Sequence, residues 1–403
     1  MRKFALLTTC FLVSSAFSQN IWIKRDSVNG PPRGACASFT VDGEAHVVGG
    51  VNVEEFKRKT YSYDLDQDDW DNEAALGGES GAGLERGSAV GFTAANYGFV
   101  ALGSGAASYM KDVWRYDAVN DTWTQMADFQ GTARNGAIAF TIDNIAYVGT
   151  GQDADGLTDD FYKYNPITNT WTELGSFDGG ERKEAVGFTM GGKGYVGTGR
   201  GSSTYFKDFW EYDPSEDEWK QLADFPGTPR MGAVGCGVFP SAFVMLGEDN
   251  SFEYKKDVWE YNYFGDIWTQ RADYMGGTRT QASAMVVDNR IFVGLGYNGI
   301  YHDDFYEYEQ VLSTIEENAQ LPLKIYPNPV INNFTVDLPI QLYQPNLKLQ
   351  GLNGQNLSDY ISILAVNGSK IKVSLNNTLD AGLYFVSLFD GDTYIGTKKI
   401  HVQ

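Results

Sequence analysis

The chain has 403 residues, of which 52 are acidic and 31 basic, and its net charge is −21 at pH 7. Such an acidic protein repels phosphate backbones and anionic membrane surfaces, which excludes nucleic acid as a partner. With three cysteines and 14% aromatic residues, its stability must come from packed cores and not from a disulfide framework.

The N-terminal segment 1–18 has the features of a secretory signal peptide. Arg2 and Lys3 precede an apolar run, and residues 16–18 (AFS) have the small-x-small pattern of a cleavage site. We therefore expect an exported chain that begins near Gln19. No later stretch has the roughly 20 apolar residues of a membrane helix, so no membrane span is expected after signal removal.

A unit of about 48 residues then recurs six times. Each copy can be anchored on an arginine: Arg33, Arg86, Arg134, Arg182, Arg230 and Arg279. At one fixed offset after the arginine every copy has a Val, and at a second fixed offset it has a Gly: Gly50, Gly103, Gly151, Gly199, Gly247 and Gly296. Short β-branched or aromatic segments alternate with Gly-rich and Asn-rich or Asp-rich turns, which predicts four strands per unit.

The third copy shows the predicted strands most clearly. Strand a spans 136–142 (GAIAFTI), strand b 146–151 (AYVGTG), strand c 160–165 (DFYKYN) and strand d 170–174 (TWTEL). Strand a is rich in small residues, whereas strands c and d carry the bulky Tyr and Trp. This taper fits sheets arranged radially with strand a innermost, and it predicts an all-β, six-bladed propeller.

The units also resemble a known repeat family. A Gly-ended strand b, then Tyr-Asp or Tyr-Asn, then a Trp after a short turn is similar to the kelch repeat, over roughly residues 20–310. The double Gly of kelch repeats occurs only once here, as Gly49-Gly50, and the other copies have Gly-Thr-Gly or a single Gly. The resemblance implies a kelch β-propeller over residues 19–310.

The sixth copy ends at Tyr308 and Glu309 without the Trp that closes the other five. Trp22 precedes Arg33 by the same gap that separates Trp123 from Arg134. We therefore predict that residues 21–25 (IWIKR) pair beside DDFYEYE as the outer strand of blade 6. Such closure leaves no open edge between the first and last repeats.

The repeat stops after Glu309. Residues 311–322 are predicted to form a linker, and the alternating apolar pattern of residues 323–403 predicts a small β-sandwich. This last segment resembles the C-terminal (type A) sorting domain of type IX secretion cargo in Bacteroidota, and the motifs that carry the resemblance are 326–329 (YPNP), 353–354 (NG), 381–384 (AGLY) and 398–399 (KK). The resemblance implies contact with the secretion machinery through residues 323–403 and a secreted or cell-surface location. An ordinary packing module is the alternative.

The d-to-a connections and the b-to-c loops share one face of a propeller, and all six arginines lie in those connections. We expect them to ring the channel mouth, where they would suit a sugar acid or an acidic peptide. The alternative is that each arginine ties neighbouring blades together.

Other candidate ligand-binding residues lie on the same face. Tyr109, Tyr205 and Tyr301 in the b-to-c loops can stack on sugar rings or pack over their own blades. Glu184 is a carboxylate beside the arginine ring that suits acid–base chemistry. The insertion at 71–85 lengthens one connection with a Gly-rich segment, which is either a recognition loop or inert surface.

These features favour an exported module that binds a glycan or protein at the channel mouth. Two alternatives stay open: a sugar-acid enzyme of the sialic acid mutarotase type, which is known among six-bladed kelch propellers, and a structural role in a surface layer. No catalytic residue is assigned, and no metal or cofactor is expected. A copper oxidase of the kelch-containing galactose oxidase type lacks a plausible set of His and Tyr ligands.

Overall fold

The computed structural model describes residues 21–81, 84–263, 265–309, 323–338, 345–352, 355–367, 369–376, 379–390 and 393–403. The predicted signal peptide (1–18) and linker (311–322) lie outside the described residues. Within the described ranges, no helix is long and apolar enough to cross a membrane.

Six four-stranded antiparallel sheets form the blades, and in each one the strands pair in the order a, b, c, d. Blades 1 and 2 comprise Ala37–Val41, Glu44–Val48, Thr60–Asp64 and Asp69–Glu73, then Val90–Ala94, Tyr97–Ala101, Val113–Asp117 and Thr122–Gln125. Blades 3 and 4 comprise Ile138–Ile142, Ile145–Gly149, Phe161–Asn165 and Thr170–Glu173, then Val186–Met190, Lys193–Gly197, Phe209–Asp213 and Glu218–Gln221. Blades 5 and 6 comprise Val234–Val238, Ser241–Met245, Val258–Asn262 and Ile267–Arg271, then Ser283–Val287, Arg290–Gly294, Phe305–Glu309 and Ile21–Arg25.

The blades close into a ring around their innermost strands. Strand a of every blade contacts strand a of the next, including blade 6 against blade 1. Buried and partly buried residues alternate along strand a, as in Ile138–Ile142, so the buried set packs between neighbouring blades. The aromatic residues of strands c and d fill the wider space farther out, as the sequence predicted.

The N-terminal strand closes the ring in the predicted way. Ile21–Arg25 pairs antiparallel with Phe305–Glu309, with Trp22 opposite Tyr308. The Trp22 ring is 5% exposed and lies 4.8 Å from the Tyr274 ring of blade 5. This prediction is confirmed, because the N-terminal strand supplies the aromatic residue that blade 6 lacks.

A repeated hydrogen bond links the outer strands. The indole nitrogen of the strand d Trp donates to a carbonyl just after strand d of the preceding blade, for example Trp123 to Ala74 at 2.8 Å and Trp268 to Ala223 at 2.9 Å. The regular spacing of this Trp therefore reflects blade-to-blade packing.

The repeated Gly after strand b meets a backbone requirement. In all six blades this Gly has φ between 90° and 107°, a region that residues with a side chain rarely adopt. At Gly103, for example, a Cβ would lie 2.9 Å from the side chain of Ala89. The fixed offset of this Gly therefore marks a turn that only glycine forms without strain.

The C-terminal residues form two further sheets around a separate core. The four-stranded sheet comprises Lys324–Tyr326, Asn333–Asp337, Lys370–Leu375 and Ile361–Asn367, and the three-stranded sheet comprises Pro345–Gly351, Gly382–Asp390 and Thr393–Val402. A short 3-10 helix in this domain lies at Ser358–Tyr360. In the propeller, a second 3-10 helix lies at Gly78–Ser80, and a two-stranded pair joins Arg230–Met231 to Glu248–Asp249. The core includes Val336, Leu349, Val373 and Leu388, all fully buried, so this small β-sandwich has the predicted architecture.

Candidate functional site

The six repeat arginines are buried in the protein interior. Each side chain is 2% exposed or less. In blade 2, the Arg86 guanidinium donates to the Leu102 carbonyl at 3.0 Å and to both carboxylate oxygens of Asp112 at 2.8 and 2.7 Å. Blades 3 to 6 repeat this bidentate pair with Asp160, Asp208, Asp257 and Asp304. The expected ring of ligand-binding guanidinium groups is therefore not available to a ligand.

The arginine backbone shows what these residues hold together. The Arg86 amide donates to Lys57 O at 2.9 Å, and its carbonyl accepts from the Gly50 amide at 2.8 Å, so the main chain is bound to blade 1 while the side chain is bound to blade 2. Blade 1 differs in its side-chain partner, because Arg33 contacts the Tyr61 hydroxyl at 3.2 Å where the other blades have an aspartate. The geometry agrees with the alternative in which each arginine ties neighbouring blades together.

Two residues beyond each arginine, the backbone forms a closed ring at the channel mouth. We call this the mouth ring, and its members are Ala35, Ser88, Gly136, Glu184, Gly232 and Gln281. Each amide donates to the carbonyl of the member in the preceding blade at 2.8–3.0 Å, and every member has φ between 50° and 60°. All six members share the left-handed backbone conformation, so this conformation is a feature of the fold. The blades differ at this position in the side chain that each member carries.

Glu184 is the charged member of the mouth ring. Its two neighbours in the ring, Gly136 and Gly232, have no side chain, and a Cβ on Gly136 would lie 3.2 Å from the Glu184 Cγ. The Glu184 side chain extends towards Gln281 of blade 6, whose Nε2 donates to Glu184 Oε1 at 3.4 Å. The other oxygen, Oε2, is shielded from solvent and has no hydrogen-bond partner among the described residues.

The electrostatic environment of Glu184 favours its neutral form. Burial raises its pKa, and the positive charge of Lys183, the hydrogen bond from Gln281 and the charge of Arg200 offset only part of this effect. A carboxylate oxygen kept from water without a partner is costly. Glu184 is thus suited to accept a proton or to hydrogen-bond a polar ligand.

Three charged side chains lie near enough to Glu184 to interact with it electrostatically: Lys183, Arg200 and Glu248. The pKa of Glu248 is raised by burial and then by the negative charge of Glu184, while Arg200 opposes the shift. Lys183 donates to Gln152 at 2.7 Å. Arg200 makes no direct ion pair within the described part of the chain, and its guanidinium lies 5.9 Å from the Tyr205 ring centre. The cluster therefore offers both carboxylates and a cation without a carboxylate partner.

Tyrosines border this cluster on blades 4 to 6. Tyr205 bridges to Arg200 and Tyr254 to Glu248 through their main chains. The Tyr297 ring lies 4.8 Å from that of Tyr301 and 6.0 Å from that of Tyr254. Tyr254, Tyr297 and Tyr301 therefore form a continuous aromatic wall, and these three rings and that of Tyr205 are partly exposed. Of the three candidate tyrosines, Tyr205 and Tyr301 belong to this region.

Tyr109 lies in blade 2, where it bridges to Ser104. The nearby insertion is anchored to blade 1, because Leu76 is fully buried and the Arg58 guanidinium donates to the carbonyls of Leu76 and Gly78 at 3.0 and 2.9 Å. Residues 82 and 83 of the insertion lie outside the described residues. The structure gives neither Tyr109 nor the described part of the insertion a contact with the charged cluster.

Sequence reasoning assigned Glu184 but missed Lys183 and Arg200. Both occupy offsets that differ from blade to blade: Lys183 directly follows the repeat arginine, and Arg200 directly follows the repeated Gly199. Their backbones pair with each other, which places variable side chains side by side at the mouth. The available signal in the sequence was that the residues directly after the invariant arginine and the invariant glycine differ from blade to blade.

Comparisons with known proteins identify the C-terminal domain and support the fold. Residues 324–403 match the family model described as a secretion system C-terminal sorting domain. No curated protein sequence matches the chain. Among solved structures, the one titled "Structure of YjhT" matches with a TM-score of 0.61 and 14% identity, and the match covers 70% of this chain and 95% of that one. At this identity the likeness shows the fold alone. The chain is therefore a β-propeller that carries a type IX sorting domain and is exported to the cell surface or the surrounding medium.

Proposed function

We propose that the propeller is an exported binding module of the kelch type, and that its ligand is a glycan held at the channel mouth over blades 4 to 6. The observation that carries the proposal is Glu184, whose Oε2 is buried and has no partner among the described residues although it lies in a closed ring of satisfied backbone amides. A buried polar atom left without a partner in an otherwise satisfied frame indicates a group that a ligand completes.

The chemistry around Glu184 suits a sugar. Carboxylates such as Glu184 and Glu248 accept hydrogen bonds from sugar hydroxyls, and the amide of Gln281 can both donate and accept. The Arg200 guanidinium can pair with a carboxylate on an acidic sugar. The tyrosine wall supplies flat faces against which a sugar ring packs.

A glycan array tests this proposal. The full chain should bind a restricted set of glycans, and Glu184→Gln should reduce the signal at least tenfold, because the variant replaces one hydrogen-bond acceptor by a donor. The matched control is Glu216→Gln, an exposed carboxylate in the c-to-d turn of blade 4 on the opposite face. If the wild-type chain binds no glycan, the proposal fails and a protein ligand or a structural surface-layer role replaces it.

A second function rests on the raised pKa of Glu184. A carboxyl that holds its proton closer to neutral pH is suited to general acid–base catalysis, so a sugar-acid mutarotase activity is the alternative. NMR exchange spectroscopy on the anomers of an acidic sugar would measure it. Faster exchange with the wild-type chain than with Glu184→Gln would establish catalysis, whereas binding without faster exchange would leave a binding module.

A further inference from the structure

Blade 5 differs from the other blades on the face opposite the channel mouth. Its a-to-b turn carries Phe239-Pro240, where the other blades have Asp42-Gly43, Ala95-Asn96, Asp143-Asn144, Gly191-Gly192 and Asp288-Asn289. Its c-to-d turn carries Tyr263, where blades 1 to 4 have Leu65, Ala118, Pro166 and Pro214. Two aromatic side chains on adjacent turns of one blade form an apolar surface that a solvent-facing turn does not need.

The C-terminal sandwich covers these turns. The Phe239 ring packs against Tyr263 with ring centres 5.5 Å apart, and against Phe385 of the three-stranded sheet at 5.7 Å. Tyr263 also hydrogen-bonds Gln350 of the same sheet, and burial raises its pKa. The contact thus joins the aromatic pair of the blade 5 turns to the neighbouring domain.

The partner surface is the outer face of the three-stranded sheet. Along Gly382–Asp390, Val386 and Leu388 point into the sandwich core, so Phe385 and Ser387 point away from it. Ser387 is nevertheless 0% exposed and Gln350 is 5% exposed. Polar residues on an outer face are buried to this extent only when something covers them.

Around the aromatic contact the surface becomes polar. The cleft beside it is lined by Lys193, Glu211 and Lys220 of blade 4 and by Lys348 and Gln355 of the sandwich. An apolar centre with a charged, wet rim is the usual anatomy of a specific protein interface.

We propose that Phe239, Pro240 and Tyr263 form a docking surface dedicated to the C-terminal sorting domain. The docked domain is carried on the face opposite the channel mouth. The channel mouth therefore stays uncovered while the sorting domain accompanies the propeller to the secretion machinery. This inference does not depend on the proposed glycan ligand.

Hydroxyl-radical footprinting of the purified full chain tests the docking surface. In the triple variant F239D/P240N/Y263A, each new residue is one that another blade carries at the same turn position, so the turns remain foldable. We expect Phe385 to be oxidised severalfold faster than in the wild type, because its cover is lost. The exposed Phe252 on the mouth face is the internal control and should be unchanged.

A reciprocal variant excludes an effect of misfolding in blade 5. Phe385→Thr leaves the propeller unaltered and should speed the oxidation of Tyr263, with an increased radius of gyration by small-angle X-ray scattering. The control variant Val119→Asn changes a residue that is 82% exposed on blade 2 and should leave both readouts at wild-type values. Equal oxidation of Phe385 in the wild type and the triple variant would overturn the proposal, as would an unchanged radius of gyration in Phe385→Thr.

Discussion

Replacing Asp257 by Asn tests whether the arginine–aspartate pairs hold the blades together. Arg230 is 1% exposed, and its guanidinium donates to Asp257 at 2.6 and 2.9 Å and to the Leu246 carbonyl at 2.9 Å. Removing the counter-ion leaves a buried cation uncompensated, which costs about 3–5 kcal/mol in comparable pairs. Because Asp257 is 21% exposed and Asn still accepts one hydrogen bond, we expect about 3 kcal/mol.

Blade 1 provides the matched control. Arg33 has the Tyr61 hydroxyl at 3.2 Å in place of a carboxylate, so Tyr61→Phe removes one hydrogen bond from the charged guanidinium but no counter-ion, and it should cost about 1.5 kcal/mol. The predicted difference between the two variants is about 1.5 kcal/mol in the free energy of unfolding.

The pH dependence of the same pair adds a second readout. Burial raises the pKa of Asp257, but the hydrogen bonds and charge of Arg230 outweigh that effect, and the net pKa is lowered. Its contribution to stability is therefore present above the pKa of an unfolded Asp and is lost as the pH falls through the lowered value. The cost of Asp257→Asn should shrink in the same acidic window.

Urea unfolding followed by tryptophan fluorescence, at neutral and acidic pH, measures both variants. The reasoning is refuted if Asp257→Asn costs no more than Tyr61→Phe at neutral pH, or if its cost does not change with acidification. Either result would mean that the buried pairs contribute little to the cohesion of the blades.

Three further predictions concern closure, the mouth and the insertion. Trp22→Ala should destabilise the chain by about 3–5 kcal/mol in urea unfolding, because it removes a buried ring from the closing strand; a loss below about 1 kcal/mol would contradict the role of that strand. The pKa of Glu184 is raised by burial, so the stability that its neutral form contributes is present below the pKa of an unfolded Glu and is lost as the pH rises through the raised value. Glu184→Gln should therefore be more stable than wild type at neutral pH and equal to it in acid. Equal melting temperatures at neutral pH would contradict this. Deleting residues 74–83 removes the buried Leu76 and should lower the melting temperature while leaving glycan binding unchanged; a loss of binding would place the insertion in the site.

The propeller could be predicted because its constraints repeat. A position that must pack against the next blade, such as Trp123, recurs at the same offset in most copies, and the missing Trp of blade 6 identified Trp22 as its replacement. The C-terminal sandwich was predicted from a simple alternation of apolar residues, which one buried sheet face imposes.

The candidate site was less predictable because it depends on differences between copies. The sequence left the repeat arginines open between ligand binding and ties between neighbouring blades, although Asp112 and its four counterparts recur at nearly fixed distances after them and neutralise their charge. The contact of Glu184 with Gln281 joins residues 97 positions apart across the mouth ring, and no local pattern indicates it. Arg200 and Lys183 were missed for a different reason: they directly follow invariant positions, but the residue there differs from blade to blade, so the repeat pattern assigns them no role.

The most direct test of the account is to locate the bound ligand. A crystal structure of the full chain with the strongest ligand from the glycan array should show the sugar over Glu184, with one hydroxyl within hydrogen-bond distance of its carboxylate and the ring against Tyr205 or Tyr297. A sugar bound to the 71–85 insertion, or on the face that the sorting domain covers, would contradict the assignment of the site to the channel mouth.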